Sequence, residues 1–209
     1  MRRRPFKIPA FVAPAFFAAS FAVAPFSARA ADNPEGTASV AASLKKAGLG
    51  VDYFSKHPIG RPAEGTPWIT DLLIVDLDGD GLKDILVCDG QLNKVSWIRQ
   101  VRLGVFEETD IGQPVAGPAH VEVADMNGDG HLDVLVSAMG VIPPSNVRTG
   151  AVIVMVNDGT NHFTNKVLLE NVARVTYVAA ADLNKDGRLD LVIGQFGYLE
   201  GEIRWMENL

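Results

Sequence analysis

The sequence of 209 residues is poor in cysteine, with Cys88 as its single example, and it has fewer basic than acidic residues. One cysteine excludes any disulfide within the chain, so packing or a bound metal must hold the fold together. Cys88 lies in an apolar run, which predicts a small buried hydrophobic residue. The motifs G-x-S-x-G, C-x-x-C and H-E-x-x-H and a glycine-rich phosphate loop are all missing, and the four histidines are far apart. These absences favour a binding module over an enzyme.

The first 30 residues differ from the rest in charge and in composition. They hold five of the 19 lysines and arginines and none of the 25 acidic residues. A basic head, "MRRRPFK", precedes an apolar run rich in alanine and phenylalanine, and the segment ends in the small residues "ARA". This order is typical of an export signal, and we expect cleavage after Ala30. A membrane anchor is the alternative, which three prolines disfavour because they interrupt a run already short for a span.

Removal of this signal leaves a strongly acidic chain. The remainder has 14 basic and 25 acidic groups, which gives a formal charge of −11. Such a charge repels nucleic acid and anionic membrane surfaces and attracts cations. We therefore expect a secreted, periplasmic or cell-surface protein with no nucleic-acid partner and no integral membrane span after signal removal. The arginine-rich head resembles a twin-arginine signal only loosely, so the export route stays open.

A nine-residue acidic segment occurs three times in the chain. It reads "DLDGDGLKD" at 76–84, "DMNGDGHLD" at 125–133 and "DLNKDGRLD" at 182–190. Each copy stands between two apolar runs with the length of β-strands, and further strand-like runs follow, in which Trp97, Val154 and Trp205 align. The sequence therefore predicts an all-β protein built from units of four short strands, with the acidic loop between the first strand and the second.

The acidic loop has the side chains of a calcium site. Positions 1, 3 and 5 are Asp or Asn and position 9 is Asp, so their oxygens can converge on one point together with the carbonyl of position 7. About six hard oxygen donors at this spacing suit Ca²⁺. Glycine at position 6 permits the positive φ that a chain needs to fold around an ion. The candidate ligands, position 7 through its carbonyl, are Asp76, Asp78, Asp80, Leu82 and Asp84; Asp125, Asn127, Asp129, His131 and Asp133; Asp182, Asn184, Asp186, Arg188 and Asp190.

Two alternatives to this calcium loop are an EF-hand and a plain hairpin turn. An EF-hand needs a glutamate at position 12 and flanking helices, whereas position 12 here is Val87, Val136 or Ile193 and the flanks are β-rich. A plain turn needs one Asp and one Gly, not four acidic or amide positions repeated three times in register. The third loop carries Lys185 where the others have glycine, so we expect weaker calcium binding there.

The motif D-x-[DN]-x-D-G-x-x-D between two β segments, repeated every 50–60 residues, resembles the FG-GAP/VCBS repeat of integrin-like β-propellers. The resemblance covers residues 51–209. It implies four-stranded blades with the first strand innermost and Ca²⁺ in the loop between the first and second strands, held by the Asp and Asn side chains named above. No repeat has a complete FG and GAP pair, so the chain is more similar to the bacterial VCBS type than to an integrin subunit.

The domain organisation predicted is an export signal at 1–30, a spacer at 31–50 and the propeller segment at 51–209. The run "VDYFSKHPI" at 51–59 predicts an isolated last strand that complements the three strands of the third unit. That gives about three blades, whereas propellers close with roughly 4–8. The chain is therefore expected either to be a piece of a longer propeller or to associate with further copies.

Two functions are compatible with these patterns. The first is an exported calcium-binding module that binds a protein or a carbohydrate, with the long connection at 139–150 as a surface loop suited to partner contacts. The second is a fragment of a sugar-active lyase or dehydratase, since Asp71, His120 and Tyr177 stand five residues before each loop and could line a channel mouth. The alternative for these three is that they are strand-end residues facing solvent.

Overall fold

The computed structural model describes residues 55–62 and 65–209, together with Lys46. The chain divides into two compact units, Met1–Lys56 and His57–Leu209, and the strands of the described residues all belong to the second unit. The predicted signal and the predicted spacer lie outside the described residues, apart from Lys46. No helix in the described part of the chain is long and apolar enough to cross a membrane.

The second unit is all-β, as the sequence predicts. Within residues 65–209 eleven antiparallel strands form three sheets, ordered β1-β2-β3-β4, β5-β6-β7-β8 and β11-β10-β9. The strands are β1 (Ile69–Val75), β2 (Asp84–Asp89), β3 (Lys94–Arg102), β4 (Val105–Ile111), β5 (Pro118–Ala124), β6 (Asp133–Ala138), β7 (Gly150–Asn157), β8 (Phe163–Val172), β9 (Arg174–Ala181), β10 (Asp190–Phe196) and β11 (Glu202–Met206). The first two sequence repeats have the predicted four strands, and the third repeat has three.

The prediction of an isolated strand at 51–59 is wrong in its described part, because residues 55–59 form no strand. Pro58 and Pro62 cannot donate backbone hydrogen bonds to a ladder. The segment instead meets the first sheet through side chains. The Arg61 backbone N–H donates to Glu108 Oε2 at 2.8 Å, and the Arg61 guanidinium reaches Asp110 Oδ1 at 2.8 Å. Residues 51–54 lie outside the described part.

The three sequence repeats pair their second and third strands in the same register. Each second strand begins at the last aspartate of an acidic loop and pairs with the third strand in the same way. The equivalent cross-strand pairs are Leu86 with Trp97, Leu135 with Val154, and Val192 with Trp205. The predicted alignment of these third strands is therefore confirmed.

Two apolar layers hold the sheets together. The first lies between the first and second sheets and includes Leu86, Cys88, Trp97, Val121, Val134, Val136, Met155 and Phe163. The second lies between the second and third sheets and includes Leu135, Val152, Val154, Val175, Val178, Leu191 and Ile193. Strand β6 is buried along its whole length because its alternate side chains enter both layers. The expected burial of Cys88 is confirmed.

The first strands of the three sheets lie side by side. Strand β5 contacts both β1 and β9, and Thr70 Oγ1 on β1 donates a 2.6 Å hydrogen bond to the Pro118 carbonyl on β5. This is the propeller-like arrangement, with the first strand of each blade innermost. The three sheets do not close into a ring, so the first and the last sheet each keep one face without a neighbouring sheet among the described residues.

Candidate functional site

The three acidic loops connect the first and second strands of each sheet, between β1 and β2, β5 and β6, and β9 and β10, as predicted. Position 6 of each loop is a glycine with φ of 89°, 89° or 90°. A side chain is strained at such a φ, which explains why glycine recurs there. Lys185 has φ of 63° where Gly79 and Gly128 have 72° and 75°, so the third loop holds a lysine in a conformation that favours glycine.

The first loop brings three carboxylates together. One carboxylate oxygen from each of Asp76, Asp78 and Asp80 lies within 4.8 Å of the others. The Gly81 N–H donates to Asp76 Oδ2 at 2.9 Å, while Asp76 Oδ1 is buried without a hydrogen-bond partner among the described residues. A buried, unpaired carboxylate oxygen beside two further carboxylates is costly unless a cation is bound. The donor set therefore fits a hard divalent cation such as Ca²⁺, which would neutralise the three carboxylates and brace the loop.

An arginine from the third strand also reaches the first loop. Arg99 Nη2 lies 2.5 Å from Asp78 Oδ2 and 3.7 Å from Asp80 Oδ2. The short contact is an ion pair without hydrogen-bond alignment, because Asp78 Oδ2 still lacks a directed donor. Arg99 thus supplies part of the positive charge that the carboxylates require, and a bound cation would compete with it for Asp78.

In the second and third loops, a side-chain amide forms a hydrogen bond within the loop. The side chains of Asn127 and Asn184 donate to the aspartate two residues later, Asp129 Oδ2 at 2.8 Å and Asp186 Oδ2 at 2.9 Å. The position 1 carboxylates accept backbone N–H groups in the same way as in the first loop, Asp125 from Gly130 and Asp182 from Gly187. The metal ligands predicted in these two loops are therefore brought near one another, but each pair already has an internal hydrogen bond.

The backbone N–H groups of position 7 point back into the loops. Leu82, His131 and Arg188 each donate to the position 5 aspartate at 2.8–2.9 Å. In the second loop this bond from His131, together with the Asn127 amide, lowers the pKa of the Asp129 carboxyl. Ligation by the position 7 carbonyls stays a prediction.

The position 9 aspartates are not part of the three-carboxylate cluster. Asp84, Asp133 and Asp190 are fully buried, and each accepts one backbone N–H from loop position 2 and another from near the end of the third strand or just after it. The bonds are Leu77 and Gln100 to Asp84, Met126 and Asn157 to Asp133, and Leu183 and Asn208 to Asp190, at 2.8–3.2 Å. Burial raises the pKa of the Asp133 carboxyl, although its two N–H donors act in the opposite direction and lower it. Metal ligation by these residues stays a prediction, whereas their role as braces is visible.

His120 contacts both Asp71 and Tyr177, although the three residues come from three different sheets. Asp71 Oδ2 lies 2.7 Å from His120 Nδ1 and also accepts the Val121 N–H at 3.0 Å. The His120 and Tyr177 rings stack with centroids 4.0 Å apart and planes 16° apart. We call these three residues the inner-edge cluster. Their equal offsets from the acidic loops thus correspond to neighbouring places in the structure, and a binding or catalytic role for them stays a prediction.

Each member of the inner-edge cluster sits at a β-bulge. The pairing of the first strand with the second shifts beside Asp71, beside His120 and beside Tyr177. A bulge re-aims a side chain away from the regular alternation of a strand. His120 Nε2 is buried without a hydrogen-bond partner among the described residues. The position of Tyr177, which is more than half exposed, agrees in part with the alternative of strand-end residues facing solvent.

Two residues near the loops were not predicted from the sequence. Arg99 in β3 and Glu207 just after β11 stand two positions after Trp97 and Trp205, and Glu207 Oε1 accepts the Asn184 amide at 2.9 Å. The first loop thus has an added positive charge and the third an added negative one. The alignment of the two tryptophans contained this signal, since residues at equal distances from them are equivalent.

Comparison with known proteins agrees with the repeat geometry. A family model described as an FG-GAP-like repeat matches residues 76–136 and 142–193, which together are more than half of the 209 residues. A search of curated proteins found no match. The first matched segment contains the acidic loops at 76–84 and 125–133, and the second contains the loop at 182–190. On these grounds the chain belongs to the family of FG-GAP-like repeat proteins.

Proposed function

We propose that this protein is an exported, calcium-binding β-propeller module that binds or adheres to a protein or carbohydrate ligand. The observation that carries the calcium part is the cluster of Asp76, Asp78 and Asp80 with its unpaired buried oxygen. The acidic loop recurs at the same place in all three sheets, so the ion belongs to the repeat and not to one special site.

Calcium has a structural role in this proposal. All side-chain ligands come from one short loop, whose backbone N–H groups already hold the carboxylates in place. Extracellular calcium modules bind at about 10⁻⁴–10⁻³ M. An ion that binds only the folded chain stabilises it by mass action, by about 1.4 kcal/mol when free calcium is ten times Kd.

Calcium removal tests this proposal directly. We expect the melting temperature in millimolar calcium to exceed that in EDTA, and calorimetric titration to show saturable binding. The double variant Asp76→Asn/Asp78→Asn should lose the first site and part of the calcium-dependent stabilisation. Glu170→Gln removes an exposed carboxylate of β8 far from the loops in sequence and is the matched control. Equal melting temperatures with and without calcium would refute a structural ion.

Export and ligand binding rest on the sequence alone and have separate tests. The mature protein recovered outside the cytoplasm should begin at Ala31, which N-terminal mass spectrometry identifies. A glycan array and a pull-down from the native surface should then find a ligand for the mature chain. A protein that stays in the cytoplasm with Met1 intact would remove the export part of the proposal.

The inner-edge cluster supports a second candidate function, a sugar-active site. The hydrogen bond from His120 Nδ1–H to Asp71 leaves Nε2 as the free lone pair, which is the arrangement of a general base. Tyr177 stacks on the imidazole and adds a phenol. Polysaccharide cleavage, measured as new reducing ends, should then vanish in His120→Ala and fall in Tyr177→Phe. If no polysaccharide of a broad panel is cleaved, the binding module is the one proposed function that remains.

A further inference from the structure

Arg174, the first residue of β9, is a buried arginine with unused hydrogen-bond donors. Only 4% of the residue is exposed. Its Nη1 makes two long hydrogen bonds, each 3.4 Å, to the carbonyls of Ile142 and Pro143. Its Nε and Nη2 are buried and have no partner among the described residues. A buried cation that is left partly unpaired is costly, so these two donors require an explanation.

Two aromatic rings fix the orientation of this guanidinium. The Arg174 Cζ lies 4.8 Å from the centre of the Phe196 ring and 5.5 Å from that of Tyr198. The two rings meet edge to face, with their centroids 5.7 Å apart. Aromatic contacts hold a guanidinium through its faces and leave its edges free for hydrogen bonds. The edge that remains free here is the one that carries Nε–H and Nη2–H.

Arg174 lines a pocket between two connections of the sheets. The pocket is small, with a cavity volume of about 40 Å³, and it opens to solvent. Ser145 and Asn146 come from the long connection between β6 and β7, and Leu199 comes from the connection between β10 and β11. The acidic loop follows the other end of β9, so this pocket does not involve the calcium loops.

The charge of the pocket is positive although the chain as a whole is acidic. Its charged lining residues are Arg148, Arg174 and Glu200. Arg148 Nη1 pairs with Glu200 Oε2 at 3.3 Å, and both side chains are exposed. Because these two charges cancel, the buried Arg174 leaves the lining with one net positive charge.

We propose that Arg174 binds the carboxylate of a small organic acid in this pocket. The Nε–H and Nη2–H bonds of a guanidinium are parallel, and they match the two oxygens of a carboxylate in a bidentate pair. A singly charged planar carboxylate balances the single net charge, whereas a phosphate dianion would keep an excess negative charge in a pocket with no second free cation among its described lining residues. This site is independent of the calcium proposal, and the experiments are therefore run both in calcium and in protein freed of calcium over a chelating resin, because EDTA itself carries carboxylates.

Titration of the whole protein, followed by NMR at the arginine Nε–H, tests the site without any substitution. The probes are acetate, glucuronate and N-acetylisoglutamine, whose one carboxylate is that of the side chain, with glucose and inorganic phosphate as controls. We expect a saturable shift of the Arg174 Nε–H with carboxylates and none with glucose or phosphate. The probe that saturates at the lowest concentration identifies a bare acid, a sugar acid or an amino-acid side chain as the source of the carboxylate. No saturable shift with any carboxylate, or saturation by phosphate alone, overturns the proposal.

A pair of matched variants separates the effect of the bidentate guanidinium edge from the effect of the positive charge. Arg174→Lys keeps the positive charge but loses the bidentate edge, and the affinity for the best carboxylate should fall at least about tenfold, the loss of one charge-assisted hydrogen bond. Arg148→Lys makes the same change at an exposed arginine of the same pocket and should alter the affinity less than about twofold. Equal affinity in Arg174→Lys overturns the proposal. If that variant does not fold, the location of the wild-type shifts decides, since they must include the amides of Gly197 and Ser145. A high-resolution structure grown in the carboxylate with water only on Nε and Nη2 counts against it.

Discussion

Asp133 and its equivalents act as braces between a loop and a third strand. Each side chain has two oxygens and joins two backbone N–H groups that are separated by a strand. Since the bond from Asn157 is buried and the bond from Met126 is partly buried, the carboxylate satisfies donors to which water has little access. The aspartate at position 9 therefore has a folding role that does not need the calcium ion.

Truncation of Asp133 tests this brace. Asp133→Ala leaves the N–H groups of Met126 and Asn157 unpaired, and we expect a loss of about 2–4 kcal/mol in the free energy of unfolding, from about 1–3 kcal/mol for the buried Asn157 donor and about 1 kcal/mol for the partly buried Met126 donor. Urea unfolding in EDTA measures the loss without a contribution from calcium. The control is Asp129→Ala, which removes an exposed carboxylate of the same loop and should cost much less stability. Equal losses in the two variants would contradict the brace.

The thiol of Cys88 is predicted to be inert in the folded protein. Burial, with a contribution from the negative charge of Asp71, raises its pKa from 9.0 to about 12. Because the thiolate is the reactive form, the native protein should not colour Ellman's reagent at about pH 8, whereas the urea-unfolded protein should release one equivalent. The pKa of Cys88 is higher in the folded than in the unfolded protein. The contribution of the protonated thiol to the free energy of unfolding is therefore fully present below pH 9.0 and is lost as the pH rises toward about 12. Rapid reaction of the native protein would show that Cys88 is accessible.

Residues differ in how far the sequence predicts their environment. The inner-edge cluster was predictable because Asp71, His120 and Tyr177 have equal offsets from a repeated motif, and equal offsets place residues at equivalent positions. Nothing local marks Arg174 as buried, since its aromatic neighbours, Phe196 at the end of β10 and Tyr198 just after it, are more than twenty residues later. The role of Arg99 at the first loop also depends on pairing between strands, which a single segment does not reveal.

At the scale of the element, the third acidic loop is a strained version of the other two. Lys185 holds φ at 63°, and Arg188 Nη2 forms an ion pair with Asp186 Oδ2 at 2.6 Å. Both cationic side chains weaken the attraction of the loop for a cation, although Glu207 adds one carboxylate beside Asn184. The sequence-based expectation of weaker calcium binding at this loop therefore stays a prediction.

Replacement of Lys185 separates backbone strain from charge. Lys185→Gly should stabilise the calcium-free protein by about 1 kcal/mol, because glycine adopts a positive φ without a clash. Lys185→Ala removes the same charge but keeps the strained φ, so it should give little gain in EDTA. Both variants should bind calcium more tightly at the third loop if the charge matters. A third loop that is the tightest site in the wild type would refute the expectation for both reasons.

The elements themselves were predictable to different degrees. Apolar runs beside the acidic loops indicated the first and second strands, because short continuous apolar runs are typical of strands in a sheet that packs on both faces. The connection at 139–150 is indeed irregular between β6 and β7. The run at 51–59 failed as a strand in its described part, because an apolar pattern does not show whether a free sheet edge is within reach.

At the scale of the whole molecule, two sheet faces are unlike the interior ones. Trp205 is 52% exposed, although its equivalent Trp97 is 6% exposed in the layer between the first and second sheets. Leu72 and Ile74 of β1 are 55% and 63% exposed, although their equivalents on β5 pack against the first sheet. The outer face of the third sheet is therefore equivalent to the face of the first sheet that the second sheet covers. The outer face of the first sheet is equivalent to the face of the second sheet that packs against the first.

These two faces are complementary, and we predict that they join two copies of the chain head to tail. The face with Trp205 takes the place of the face with Trp97, and the face with Ile74 takes the place of the β5 face that covers Trp97. Two copies of about three blades give about six, within the roughly 4–8 that close a propeller. A closed pair buries both faces in each copy, so association should stop at the dimer instead of continuing into fibres.

Light scattering after size exclusion measures this association. The wild type should have the mass of a dimer at high concentration, and Ile74→Glu and Trp205→Glu should each be monomeric, because a charge at either face breaks both interfaces of the ring. An equimolar mixture of the two variants should recover dimers, since one of its two interfaces joins a wild-type Ile74 face to a wild-type Trp205 face. Leu103→Glu, in the turn between β3 and β4, is the control and should leave the dimer intact. Dimers in both single variants would place the contact elsewhere, and a mixture that stays monomeric would contradict the head-to-tail pairing.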